Sequence, residues 1–69
     1  MNIDEAIEHA AEHLPERMRI ALVVEKGSAS VELWGGGEGV GIDLEEAGVS
    51  IDLSFAEQII AAVEIARAW

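Results

Sequence analysis

His9-Ala10-Ala11-Glu12-His13 reads H-x-x-E-H, the inverted zinc-protease pattern. Histidines at i and i+4 share one helix face, a spacing that suits a divalent metal. A zinc protease also needs a third protein ligand from another element and a cleft for substrate. Pro15 closes the helix just beyond His13, and so short a chain has little volume for a cleft. Two histidines on a solvated face beside Glu5, Glu8 and Glu12 are the plainer reading and rank ahead, with adventitious zinc or nickel capture the extent of their metal chemistry.

Other constellations fall short of a reaction too. Gly35 to Gly41 suggests a phosphate loop, yet neither G-x-x-x-x-G-K-[ST] nor G-x-G-x-x-G occurs. The segment also precedes a strand pattern, so no helix N-terminus receives an anion there. It reads as a hairpin loop whose glycines supply positive φ, with movement on partner binding as the minority alternative. No serine sits in a nucleophile elbow. Glu45-Glu46 are adjacent acids in a turn, without the pocket that drives two carboxyl pKa values apart. The expectation is a protein that is not an enzyme and uses no cofactor or metal.

Charge is the stronger signal. Fourteen Asp and Glu against four Lys and Arg give 69 residues a formal charge of −10. A small domain built only for solubility carries a net charge of about 2–8 in magnitude. An excess destabilises by self-repulsion, so it calls for a partner that uses the field. Phosphates and anionic lipid would both be repelled, which argues against direct nucleic-acid binding and against a membrane surface. Since 51% of residues are apolar, the chain should fold despite its charge, as one compact domain over 1–69. The absence of cysteine excludes disulfides, thiolate metal sites and cysteine nucleophiles. An acidic N-terminus and the short apolar run Ile20 to Val24 leave neither a signal peptide nor a membrane span to expect, so a cytoplasmic setting follows.

Two helices and four strands must position these residues. Asn2 with Glu5 forms a capping box, and Ile3, Ala6, Ile7, Ala10, Ala11 and Leu14 make one apolar stripe, predicting a helix over Ile3 to His13. From Met18 the period becomes two: Met18, Ile20, Leu22 and Val24 on one face, Arg19, Ala21, Val23 and Glu25 on the other. A turn at Gly27-Ser28 (type II′) or Lys26-Gly27 (type I′) leads to a second strand, and either option sets Val31 and Leu33 on the face of Leu22 and Val24. Val40, Ile42 and Leu44 predict a third strand, and Val49, Ile51 and Leu53 a fourth. Ser54 and Glu57 form a second capping box. It opens a helix whose stripe is Phe55, Ile59, Ala62, Val63 and Ala66, with Trp69 folding back as core.

The resulting expectation is an α+β fold in the order α-β-β-β-β-α, an antiparallel four-stranded sheet with both helices on one face. Its open face would show Glu25, Glu32, Asp43 and Asp52 with Trp34, whose ring serves either as local packing on Arg19 or the glycine loop, or as an interface anchor. A second row, Asp4, Glu8 and Glu12, repeats along the first helix at about one turn, ~6 Å. Such rows present a dense anionic surface to a basic groove, as the phosphates of nucleic acid do.

In size, charge, lack of cysteine and element order the whole chain resembles the small acidic anti-CRISPR proteins of phages, above all inhibitors of type I systems, with type I-C the first guess. That class has no shared motif, so the resemblance transfers no residue role. It implies a partner among the Cas subunits of a surveillance complex in the host bacterial cytoplasm, and exclusion of target DNA by mimicry. The chain is then expected as a monomer ahead of a homodimer. An acidic antitoxin or immunity protein blocking a basic nuclease or toxin would use the same charge. So would a small structural homo-oligomer, for which the charge is solubility alone.

Overall fold

The computed structural model describes residues 1–35 and 40–69. Its elements are α1 (Ile3–His13), β1 (Arg19–Glu25), β2 (Ser28–Gly35), β3 (Val40–Ile42) and α2 (Phe55–Ala68). Both helices open on reciprocal capping boxes. The Glu5 amide donates to Asn2 Oδ1 at 2.8 Å while the Asn2 amide donates to Glu5 Oε1 at 3.1 Å. At α2, the Glu57 amide donates to Ser54 Oγ at 3.2 Å, and the Ser54 amide reaches back to Glu57 Oε1 at 3.4 Å. Each box satisfies donors that a helix start otherwise leaves without partners. α1 stops where Leu14 turns extended ahead of Pro15. The chain then reverses through a turn closed by the Met18 amide on Pro15 O, with Arg17 held at φ 70.

The sheet is an antiparallel meander, β1-β2-β3. Pairing of Glu25 with Ser28 leaves Lys26-Gly27 as the hairpin loop. Only Gly27 has positive φ there, at +87°, so neither primed turn is formed. The register sets Ile20 opposite Leu33 and Leu22 opposite Val31, the shared face that the period-two pattern requires. On the reverse face Arg19 lies opposite Trp34, and Trp34 opposite Gly41.

The expected fourth strand over Val49 to Leu53 does not form, and among the described residues the sheet has three strands. The reason lies in Asp43-Leu44-Glu45-Glu46-Ala47-Gly48-Val49, which forms a single capped helical turn. Asp43 Oδ1 accepts from the Glu45 amide at 2.9 Å and from the Glu46 amide at 3.4 Å. Gly48 takes φ +96°, its amide bonds Glu45 O, and the Val49 amide bonds Leu44 O. This is a Schellman closure, and Leu44 and Val49, the pair it brings together, are both buried. β3 therefore ends at Ile42. Residues 50–53 form a second turn, in which the Asp52 amide donates to Ser50 Oγ and the Leu53 amide to Ser50 O. Gln58, buried on α2, donates from Nε2 to Leu53 O at 2.9 Å and to Ile51 O at 3.4 Å. Carbonyls that a strand would have paired are satisfied by this side chain instead.

One core joins the elements. Leu33 of β2 and Val63 of α2 are its largest fully buried side chains. Ala6 and Ala10 of α1, with Ala56, Ala62 and Ala66 of α2, are buried around them. These small residues let α1 and α2 approach closely, and α1 packs chiefly on α2 rather than over the sheet. α2 covers β2, but the core-side face of β1 is left partly open. The α2 stripe also differs from expectation: Ala56 takes the inward place and Phe55 is exposed. Trp69 is 65% exposed. It does not become core, although its ring edge lies beside Gly35 together with the Met18 thioether.

Candidate functional site

Asp4, Glu8 and Glu12 occupy successive turns of α1, and all are exposed. Glu5 also lies at the helix start, but its carboxylate is held by the capping box. The row thus stands on a rigid, capped element. Glu16 continues the acidic run past the helix end. Among the described residues no Lys or Arg lies within ion-pair distance of a carboxylate. Among the same residues, the one ring nitrogen close to a carboxylate is His13 Nε2, 3.9 Å from Glu12 Oε2. The carboxylates face water without counter-charges of their own.

The outer sheet face exists, because nothing folds over Arg19, Glu25, Ser28 or Ser30, all of them exposed. It is less acidic than the sequence suggests. Trp34 is half-buried: its ring lies against Gly41, where an added Cβ would sit 3.5 Å away, and the Arg19 guanidinium is 5.7 Å from its centroid. Its Nε1 donates to Glu32 Oε1 at 3.2 Å. Arg19, Trp34, Glu32 and Gly41 therefore form one packed polar-aromatic cluster, in which Glu32 is engaged internally. Asp43 sits at the end of β3 and is occupied in capping the turn. Glu25 lies at the hairpin tip. Asp52 leaves the face altogether, since it belongs to the turn before α2. Of four carboxylates expected together on the sheet, only Glu25 is both on it and unengaged.

Two further acids stand on a rigid turn, outside the α1 row. Glu45 and Glu46 give only backbone groups to the turn, and their side chains are exposed. The signal available was the D-x-x-E capping pattern at Asp43, which marks a rigid turn and not a loose connection.

Among the described residues the histidine pair has no third side chain placed to complete a metal site. The His9 and His13 rings stand 4.4 Å apart between centroids, tilted by 41°. Among the described residues no cluster of three or more His, Asp or Glu could hold an ion. His9 is also not on a solvated face: it is half-buried, with Nε2 enclosed and lacking a hydrogen-bond partner. The glycine-rich loop falls, over residues 36–39, outside the described residues. Among those described, no helix is long and apolar enough to cross a membrane. No family model, curated protein or solved structure matches the chain.

Proposed function

We propose that this chain is a non-catalytic inhibitor that lays an anionic surface into a basic nucleic-acid-binding groove of another protein and so excludes the nucleic acid. The observation that carries this reading is the exposed α1 row, Asp4, Glu8 and Glu12, free of any Lys or Arg counter-charge. Its acids are ~6 Å apart along the axis and prepositioned, so little side-chain and backbone ordering opposes binding. Electrostatic steering of a −10 chain toward a basic surface favours fast association at low salt. The α1 row supports the reading better than the sheet face does, because Glu32 and Asp43 are already bonded within the molecule. The resemblance to small acidic anti-CRISPR proteins directs the proposal to a type I surveillance complex in the bacterial cytoplasm, with its DNA-contacting Cas subunits as the partner.

The test is competition between this protein and target duplex for a purified type I-C surveillance complex. Wild type should displace the duplex at low salt and lose affinity as salt rises. The triple reversal D4K/E8K/E12K should weaken binding by two orders of magnitude or more, on the order of 1 kcal/mol per lost contact. Reversal of Glu45, Glu46 and Asp52 changes the net charge equally and is the control. Equal loss in both triples would reduce the effect to bulk charge. If the complex shows no binding while a co-expressed basic nuclease toxin is neutralised, the antitoxin reading takes its place.

A further inference from the structure

Among the described residues β1 is an edge strand, paired to β2 on one side only. Its seven residues, Arg19–Glu25, run longer than a protected edge usually does, and no proline interrupts them. Its core-side face is open too, since α1 packs on α2: Leu22 is 42% and Val24 73% exposed. Ile7 of α1, 52% exposed, faces Leu22 across a groove of about 540 Å³ whose walls include Ala11, Leu14 and Ile20. A small monomer seldom leaves unpaired backbone and contiguous apolar side chains together. A small apolar ligand could fill the groove but would leave the backbone edge unpaired.

We infer that the β1 edge pairs antiparallel with β1 of a second copy, about a two-fold axis at Leu22. The sequence of the strand, Arg-Ile-Ala-Leu-Val-Val-Glu, fits its own reversal. Leu22 meets Leu22, Ile20 meets Val24, and Ala21 meets Val23. Arg19 meets the second copy's Glu25 at both ends, giving opposite charges on the outer face, in line with the Trp34–Arg19 stack. A parallel pairing would set like charges opposite one another instead. The wider charge distribution points to the same edge. Arg17, Arg19 and Lys26, three of the four basic residues, lie within or beside β1, so two −10 chains repel least there. Six strands would then form one continuous sheet, and the two grooves would close on each other.

The test is sedimentation equilibrium of the full chain from 1 µM to 1 mM. The expected result is a monomer–dimer equilibrium with a dissociation constant of about 10–100 µM, as suits a small interface. Affinity should rise with salt, because screening relieves the repulsion between two acidic chains. Arg19→Glu and Glu25→Arg should each weaken the homodimer about tenfold or more, since each sets two like-charge pairs face to face. Mixed together, these variants should form a heterodimer, in which every outer pair is again Glu with Arg. Circular dichroism confirms that each variant is folded. A chain that stays monomeric at 1 mM overturns the pairing and leaves the edge to a strand of another protein. A dimer indifferent to both reversals, with no gain on mixing, overturns it as well. This inference stands apart from the inhibitor reading, and opposite responses to salt separate their failures.

Discussion

Gln58 shows how one side chain decides whether a segment becomes a strand. The stretch Val49 to Leu53 alternates apolar and polar residues, as a strand does, yet its carbonyls at Ile51 and Leu53 accept from Gln58 Nε2. A glutamine nearly enclosed by the core is tolerated because its amide has these partners. Gln58→Leu keeps the bulk and removes the donors, leaving two carbonyls unsatisfied. The expected cost is about 1–3 kcal/mol in urea denaturation. The loss should centre on the turn, so amide exchange at residues 50–54 should accelerate more than exchange at Leu33. A change below ~0.5 kcal/mol would show that water replaces the side chain without penalty.

Between elements, the competition at residues 43–49 was settled by caps rather than by periodicity. Val40 to Leu44 and Val49 to Leu53 both look like strands when read for period two alone. Asp43 with Glu46 matches the same acceptor-x-x-Glu pattern that opens α1 and α2, and Gly48 supplies the left-handed closing residue. These local signals were legible, and they outweigh an alternation of only five residues. The helices, their caps and the hairpin face were legible for the same reason: each is fixed by short-range chemistry. The seating of α1 on α2, which opens the β1 groove, was not legible, because it depends on which alanine surfaces meet in three dimensions. The acidic row of α1 could be read from its spacing. The sheet-face set could not, since Asp52 belongs to a strand that does not form and Glu32 is taken up by Trp34. Asp43→Ala and Gly48→Ala test the turn from its two ends. Asp43→Ala should cost about 0.5–2 kcal/mol through the lost cap, and Gly48→Ala about 1–2 kcal/mol at positive φ. The two share one element, so the double variant should fall short of the sum. Full additivity would mean that the turn is not a cooperative unit.

Across the whole molecule, the −10 charge acts on three equilibria with predictable signs. Among the described residues no Lys or Arg pairs with an acid, so the field is screened by solvent ions rather than by the protein itself. Folding gathers the described carboxylates within a body of 11.3 Å radius of gyration, and their repulsion opposes it. Raising sodium chloride from 10 to 150 mM shortens the Debye length from about 30 to about 8 Å, below the span of the molecule. Stability should therefore rise with salt, on the order of 1 kcal/mol, and level off above ~150 mM as screening becomes complete. Urea melts at constant pH measure this, with sulfate avoided because it also strengthens apolar burial. Self-pairing through β1 should follow the same sign, whereas capture by a basic groove should follow the opposite one. A stability independent of salt would mean that the carboxylates are too dispersed to repel as a set. The α1 row would then lack the concentrated field on which binding to a basic partner depends.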